Sequence, residues 1–323
     1  MSLPYLHPYL GLSNGLNTLH AAGGGGGGAS PGVRGVFAGG GTGAADVNTI
    51  DYITMATTGN ATDFGDLTVA RGSIGGNVYS GTRAIFWGGP STPQTVIDYI
   101  TTATTGNATD FGDLTVARRG ADGGHSPTRG VMLYGYNGSS PDTTIDYITM
   151  DTTGNATDFG DGTIANYQNT CVNSDTRTVS MAGANGLGGY YNVMNYITTA
   201  STGNATDFGD LSANKGAPGS YYSNTRGICT GGYTGVRINV IEYITIATTG
   251  NATDFGDSTV SVSNPSSGVT NGTRGIAGGG NTGASLTNVI EYVTIATTGN
   301  ATDFGDLTVD RMFLTGGADY TQA

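Results

Sequence analysis

Tyr-Ile-Thr-Met-Ala-Thr-Thr-Gly-Asn-Ala-Thr-Asp-Phe-Gly-Asp, residues 52–66, decides the fold of this chain, because it returns five more times with few changes. The intervals between copies are 47, 48, 49, 47 and 49 residues. A fixed period of this length is the signature of a repeat array, so we predict one array of six units rather than two ordinary domains. The core of the stretch, Gly-Asn-Ala-Thr-Asp-Phe-Gly-Asp, begins at Gly59, Gly106, Gly154, Gly203, Gly250 and Gly299.

Each unit opens with an arginine, usually after a threonine, and a short apolar strand that ends in glycine. Arg-Gly-Val-Phe-Ala-Gly-Gly, from Arg34, is the first example. A glycine that recurs at one place fits a backbone with positive φ or a close approach that a Cβ would block. The glycine six residues after the arginine is present in every unit: Gly40, Gly89, Gly135, Gly183, Gly232 and Gly280.

Three more strands follow in each unit. Asn-Thr-Ile-Asp-Tyr-Ile-Thr-Met-Ala is rich in β-branched residues, Thr-Thr-Gly-Asn predicts a tight hairpin, and Ala-Thr-Asp-Phe-Gly-Asp-Leu-Thr-Val makes the next strand. A fourth strand, such as that within residues 72–79, precedes the next arginine. Four short strands per unit favour a β-propeller blade over a solenoid coil. The residues predicted to form the repeated scaffold are Tyr52, Asp63, Phe64, Asp66, Tyr99, Phe111, Tyr147, Phe159, Tyr196, Phe208, Tyr243, Phe255, Tyr292 and Phe304.

The two ends of the array are complementary. The last residues, 311–323, match the segment that elsewhere leads into the next arginine, whereas the first unit starts at Arg34 and lacks that segment. A terminal strand that joins the first blade would remove the exposed edges of the array. We therefore predict an all-β, six-bladed propeller of four-stranded blades over residues 29–323, closed by the C-terminal strand in the first blade, with an N-terminal extension.

The unit resembles the kelch repeat. The strand ending in glycines, the strand with tyrosine and the arginine-led return match that family over about residues 34–323, with phenylalanine where kelch repeats usually have tryptophan. This resemblance implies a kelch-like propeller. The letters Thr-Thr-Gly-Asn-Ala-Thr-Asp-Phe-Gly-Asp-Leu-Thr also resemble repeats in virion structural proteins of marine tailed phages, cyanophages above all. That second resemblance implies a structural part of a phage particle.

Residues 1–28 differ from the repeat. They combine an apolar, aromatic start with six consecutive glycines, Gly23 to Gly28, which are typical of a flexible linker. Two interpretations stay open, a strap on the propeller's own surface and an anchor that docks on another virion protein. The segment has no basic start and is broken by prolines, so we expect neither a signal peptide nor a membrane span. The predicted anchor residues are Leu3, Tyr5, Leu6, Tyr9, Leu10 and Leu12.

Charge and cysteine content exclude several classes of protein. The formal net charge is −12, with 12 Lys and Arg against 24 Asp and Glu, and half of the acids are the repeated pair of each unit. Few cations on an acidic chain argue against nucleic-acid binding. Cys171 and Cys229 occupy unlike places in their repeats, which favours small buried side chains over a disulfide scaffold.

The repeated carboxylates have three possible uses. Asp63 and Asp66, with Asn60, could ligate Ca²⁺, cap turns, or pair with a repeat arginine such as Arg83. We favour capping, because the spacing lacks the ligand density of a calcium loop. We expect no metal, no cofactor and no catalytic residue. The only glutamates, Glu242 and Glu291, share one slot of the repeat, whereas a glycosidase needs a pair of carboxyl groups in unlike surroundings.

Aromatic and amide side chains that differ between repeats are the better candidates for ligand binding. They lie on the loop after each glycine strand and in the innermost-strand region, where propellers recognise sugars or proteins. The alternative is that most of them pack between blades. The candidates are Trp87, His125, Tyr136, Asn137, Tyr190, Tyr191, Tyr221, Tyr222 and Tyr233.

The function expected from the sequence is that of a non-enzymatic virion component. The chain would be made in the host bacterial cytoplasm, attach to other virion proteins through its N-terminal segment, and hold the propeller out for host-surface attachment at a tail, fibre or baseplate. Host glycan or protein is the expected ligand. Capsid decoration is the alternative, and a sugar-binding or glycosidase-like propeller is a remote one.

Overall fold

The computed structural model describes residues 34–89 and 93–320, which form six four-stranded antiparallel sheets. The predicted anchor and linker, residues 1–28, lie outside the described residues. Within the described ranges no helix is long and apolar enough to cross a lipid bilayer. Residues 34–38 and 315–318 come together in the same sheet, so the six blades close into a ring.

Blades 1 to 3 consist of the first eleven strands of the chain and of the last strand, which completes blade 1. The first eleven strands of the chain are β1 (Arg34–Ala38), β2 (Thr49–Thr54), β3 (Thr62–Asp66), β4 (Gly75–Tyr79), β5 (Arg83–Trp87), β6 (Gln94–Thr101), β7 (Thr109–Arg118), β8 (Asp122–His125), β9 (Arg129–Leu133), β10 (Asp142–Thr149) and β11 (Thr157–Asn166). From the axis outward, blade 2 runs β4-β5-β6-β7 and blade 3 runs β8-β9-β10-β11.

The remaining strands build blades 4 to 6 and complete blade 1. They are β12 (Thr170–Asn173), β13 (Arg177–Met181), β14 (Tyr191–Thr198), β15 (Thr206–Lys215), β16 (Gly219–Tyr222), β17 (Arg226–Thr230), β18 (Ile238–Thr245), β19 (Thr253–Val262), β20 (Val269–Thr270), β21 (Arg274–Gly278), β22 (Val289–Thr294), β23 (Thr302–Asp306) and β24 (Thr315–Ala318). Blade 1 has the order β24-β1-β2-β3, so its innermost strand is the last strand of the chain.

The ring is closed as the sequence predicts. β24 pairs antiparallel with β1, with Val36 opposite Gly317. Beyond the strands, the backbone N–H of Arg34 donates to Asp319 Oδ1 over 2.8 Å, and the N–H of Asp319 donates to the Arg34 carbonyl over 3.1 Å. One blade thus contains both ends of the array, and opening the ring requires breaking a sheet.

The Asp-Phe-Gly-Asp letters of each unit produce a β-bulge. Between β2 and β3 the register shifts, with Ile50 opposite Gly65 but Asp51 opposite Asp63, so Phe64 is the extra residue. The bulge turns the Phe64 ring into the core, where it meets Tyr52 edge-on with centroids 5.9 Å apart. Arg34 covers the other side of the Tyr52 ring at 4.7 Å. The same stack of arginine, tyrosine and phenylalanine recurs in all six blades.

The repeated Gly-Asn does not make the predicted tight hairpin. Its backbone is nearly extended, with φ of 156° at Gly106, and it crosses to the neighbouring blade. The Gly106 N–H donates to the Phe64 carbonyl over 2.8 Å, and Asn107 Oδ1 accepts the Asp66 N–H over 3.1 Å. This perimeter clasp repeats between every pair of blades, including the last and the first. Gly-Asn therefore joins blades, where the sequence predicted a turn within one blade.

Both cysteines are free and buried, as predicted. The glycine that follows each arginine by six residues has positive φ in every blade, from 64° at Gly89 to 124° at Gly183, which confirms the conformational role inferred from its recurrence.

Candidate functional site

Six connections, each leading from the outer strand of one blade to the inner strand of the next, meet around the axis. In each, one residue donates its backbone N–H to the carbonyl of its equivalent in the preceding connection, over 2.6–3.3 Å. The six hydrogen bonds form a closed circle, here called the axial ring. Its members are Ser73, Gly120, Gln168, Ala217, Asn264 and Phe313.

The axial ring is strained. All six members have φ between 53° and 62°, and five of them are not glycine. The left-handed region costs a non-glycine residue roughly 1–3 kcal/mol, and such strain is concentrated at functional sites. The ring retains it because each residue is fixed by hydrogen bonds on both sides.

A depression with a cavity volume of about 80 Å³ opens over the axial ring. The loops that follow the glycine strands reach the same face, since Tyr136 bridges Arg119 and Tyr233 bridges Gly216 through backbone pairing. We call this side of the propeller the mouth face.

The floor of the depression is a buried polar cluster that joins four blades. Thr170 Oγ1, from blade 4, lies 3.2 Å from Asp122 Oδ2, 2.7 Å from Ser220 Oγ and 3.0 Å from Ser267 Oγ. These partners belong to blades 3, 5 and 6. Asp122 Oδ2 also accepts the Cys171 N–H over 2.9 Å. Because the cluster joins side chains of four blades, it lies near the propeller axis, and the depression above it is here called the cup.

Asp122 is the one acid of this floor, and it is only 4% exposed. Burial raises its pKa to about 7, against which the Cys171 N–H and the Thr170 hydroxyl favour the charged form. The backbone N–H groups of Gly123 and Gly76 also donate to this carboxylate and favour its charged form.

Aromatic rings meet near the axis at the opposite end of the inner strands. Tyr79 and Tyr222 stack across the axis with centroids 6.3 Å apart, and His125 lies 4.3 Å from Tyr79. Burial lowers the pKa of His125 to about 4, so its ring is neutral at neutral pH. A smaller depression on that side is lined by Tyr79, His125 and Tyr320.

The residues predicted from sequence to bind a ligand fall into two groups. Trp87, Tyr221 and Tyr222 are at most 1% exposed and pack inside or between blades, so in this structure they have no surface for a ligand. His125 is also buried, at the end of the inner strands away from the mouth face.

The other predicted residues lie on the mouth face and are partly exposed: Tyr136, Asn137, Tyr190, Tyr191 and Tyr233. The Tyr190 and Tyr233 rings meet edge-on at 5.7 Å and border a second depression, which shares Gln168 and Phe313 with the cup. Asn137 instead stabilises its own loop, because its Oδ1 accepts hydrogen bonds from the backbone N–H groups of Ser139 and Ser140, each over 3.0 Å.

Sequence reasoning missed Arg119, Asp122, Gln168 and Asn169, which shape the cup. The sequence did contain a pattern from which these residues could have been identified. The segments between the third strand and the next arginine differ most between repeats, and Asp122 is an acid where the equivalent residues are small or hydroxylated.

The repeated carboxylates are at the outer perimeter, far from the cup. Asp63 is exposed, and the backbone N–H of each following aspartate is capped by an asparagine of the next blade, not by the Asp side chains. The repeat arginines bond to carbonyl oxygens of the neighbouring blade, as Arg83 does to Met150 over 3.0 Å, so the alternative of a pair between Arg83 and the repeated aspartates is wrong. Among the described residues, no three His, Cys, Asp or Glu side chains are grouped to hold a metal ion.

Comparison with profiles of known protein families and with curated proteins found no match. The fold defines the chain as a six-bladed β-propeller built from four-stranded repeats.

Proposed function

We propose that this chain is a non-enzymatic virion structural protein of a tailed phage that displays a rigid propeller for host-surface attachment. The proposal joins the resemblance of the repeat letters to phage virion proteins with the distribution of side chains in the fold. The apolar segment around Leu6 and Leu10 would attach the chain to the particle, and the mouth face would meet the host.

The observation that carries the proposal is the contrast between perimeter and mouth. Around the perimeter the same glycine, asparagine and aspartate recur six times and hold neighbouring blades together. At the mouth, equivalent positions hold different side chains on a backbone fixed by the axial ring. Variable side chains on a rigid frame are typical of recognition surfaces.

Capsid decoration is the second candidate. The exposed perimeter presents Asp63 and its equivalents in six nearly identical copies. A repeated surface suits many weak contacts with regularly spaced partners, whereas it does not form one asymmetric pocket.

Immunogold labelling of intact phage particles that carry this chain separates the two. Antibody should mark the tail tip, fibres or baseplate if the chain serves attachment. Regular labelling over the shell would favour decoration. Particles free of label, with the chain confined to the lysate, would overturn both forms of the proposal.

A further inference from the structure

Arg119 and Arg237 are the two cations that the repeated scaffold does not use. Of the 12 Lys and Arg residues, six arginines lie over the repeated tyrosine rings and four cations form buried ion pairs between blades. The two remaining arginines lie on the mouth face, and neither forms an ion pair with a described residue. On a chain of net charge −12, such an arginine is available to an external anion.

Arg237 lines the second depression of the mouth face, which is larger than the cup. Its cavity volume is about 230 Å³, against about 80 Å³ for the cup. Since one water needs only about 10–15 Å³, this space accommodates a ring-sized ligand. No acidic side chain of the described ranges lines it. The polar and aromatic side chains that line it are partly exposed, and they are Gln168, Tyr190, Tyr233, Arg237, Asn264 and Asn281.

Packing fixes the aromatic wall and leaves the end of the arginine accessible. Tyr190 lies so close to Gly216 that a Cβ added there would be 2.6 Å from Tyr190 Cδ1. The guanidinium of Arg237 lies over the Tyr233 ring, 5.1 Å from its centroid. Its Nη2 is 3.4 Å from Asn281 Oδ1, and its Nη1 is neither enclosed nor hydrogen-bonded within the described ranges. Only Nε is enclosed, so the outer end of the guanidinium can donate to a ligand.

This arrangement occurs at one place in the propeller. Arg237 forms a backbone bridge with Tyr233, and the same bridge in four other blades has a different residue at the arginine position. Those residues are Asp46, Pro141, Tyr190 and Leu286. A charge that the other blades do not need indicates recognition rather than a role in the scaffold.

An acidic sugar residue matches these features. Its carboxylate suits the arginine, its C–H face packs on tyrosine, and its hydroxyl groups exchange hydrogen bonds with amides. A neutral sugar would leave the arginine without an anion. A polyanion such as nucleic acid fits less well, because it needs clustered cations and is repelled by the net charge of −12.

We propose that the second depression binds an acidic sugar residue, such as a uronic acid, of a host-surface saccharide. Arg237 donates to the carboxylate, Tyr190 and Tyr233 pack against the sugar ring, and Asn264 and Asn281 bond to its hydroxyl groups. This inference rests on the proposed attachment function and names its ligand class.

The test compares sugars that differ only at C6: methyl glucuronide with methyl glucoside, and methyl galacturonide with methyl galactoside. Binding to the full chain is followed by ligand-observed NMR and titration calorimetry. Arg237→Leu and Tyr233→Asn copy Leu286 and Asn281 of the next blade, so both should fold. Arg119→Ser copies Ser263 and is the control, because it removes the same charge from the mouth face but outside the second depression.

At least one uronide should bind about tenfold or more tightly than its neutral partner, since hydrogen bonds to charged groups are the stronger ones. Arg237→Leu should abolish this preference, Tyr233→Asn should weaken the binding of the uronide, and Arg119→Ser should leave it unchanged. The inference is overturned if neither uronide binds at high millimolar concentration or if the neutral partners bind equally well. Equal losses in Arg237→Leu and Arg119→Ser would also overturn it, because they would show a general attraction to the charge of the face.

Adsorption of the same proteins to host cells distinguishes this inference from the proposed function. Adsorption that Arg237→Leu retains in full rejects the acidic-sugar site but keeps attachment. Uronide binding that depends on Arg237, without adsorption, supports the site and rejects attachment.

Discussion

Arg71 Nη2 donates a hydrogen bond to Asp98 Oδ2 over 2.7 Å, and neither side chain is exposed to solvent. Arg71 follows the outer strand of blade 1 and Asp98 lies in β6, so the pair joins two blades. The same guanidinium donates to the carbonyls of Gly88 and Val96, each over 3.0 Å. Burial lowers the pKa of Arg71 and the Asp98 charge opposes that effect. The equivalent slots hold three more buried ion pairs, Arg118–Asp146, Lys215–Glu242 and Arg311–Asp51.

Removing one member of such a pair should be costly. In Arg71→Ala the Asp98 carboxylate loses its buried cation and retains only Thr68, which donates through its hydroxyl over 2.7 Å. We expect the free energy of unfolding to fall by about 3–5 kcal/mol, measured by urea denaturation.

A matched control comes from the chain itself. Between blades 3 and 4 the two slots hold Asn166 and Asn195, both neutral. The double variant Arg71→Asn, Asp98→Asn places the same two neutral residues at these positions and should recover more than half of the loss. A fall below about 1 kcal/mol in Arg71→Ala would contradict the role given to the pair.

At the equivalent positions between blades 5 and 6, the acidic residue Glu291 forms no ion pair with any described residue. Val262 occupies the cation position and Glu291 has Thr259 as its hydrogen-bond donor, and the cavity between Val262 and Glu291 is only about 10 Å³. Val262→Arg copies the cation that other blades have at this position and, by pairing with Glu291, should raise the free energy of unfolding by about 1–2 kcal/mol. Val262→Leu adds apolar volume without charge and should gain less. Equal gains in the two variants would show that volume alone matters there.

The perimeter clasp depends on a glycine that no larger residue can replace. A Cβ on Gly65, whose φ is 147°, would lie 2.5 Å from the Gly106 carbonyl oxygen of the next blade. Gly65→Ala should therefore cost about 2–4 kcal/mol, through steric clash and backbone strain, in thermal or urea unfolding.

Gly41→Ala is the control for that change, because the nearest atom to an added Cβ is Asp46 Oδ1 at an ordinary 3.4 Å. Four of the other five blades have tyrosine, asparagine or alanine at this place, so the variant should cost less than about 1 kcal/mol. Similar losses in both variants would exclude the inter-blade clash as the cause.

Asp122 should make stability depend on pH. Burial raises its pKa from 3.8 to about 7, so between these values the unfolded chain releases a proton that the folded chain keeps. Its contribution is therefore present below pH 3.8 and is lost as pH rises through 7, by up to about 4 kcal/mol. Asp122→Asn removes this loss, so its stability relative to the parent chain should rise between pH 4 and pH 8. Asp63→Asn, at an exposed carboxylate, should not show this rise, and parallel profiles for Asp122→Asn and the parent would refute the assignment.

Much of the fold was predictable because the repeat contains its own evidence. Six copies of one stretch, and a terminal segment that matches a gap in the first unit, predict the number of blades and the closure by β24. Hydrophobic periodicity and glycine position are local properties, and each copy confirms the others. Cys171 and Cys229 could likewise be predicted as buried, because neither had a regular partner in sequence.

The candidate site was only partly predictable. Tyr190 and Tyr233 were identified from their variable loops, but Arg119, Asp122 and Asn169 were not, since nothing in the sequence shows which residues of six separate connections face one space. Trp87 shows the opposite case, because an aromatic side chain on a short strand can face solvent or a neighbouring blade, and only packing decides.

By itself the sequence determined the blade count, the strand order within each blade and the place where the ring closes, because these follow from repeated local patterns. Tertiary structure alone decided that Gly-Asn reaches across to the next blade, that arginines meet aspartates about 27 residues away in the chain, and that six strained residues form one hydrogen-bonded circle. The physical reason is that each of these features is a contact between blades, whose geometry depends on the curvature of the closed ring and not on any single repeat.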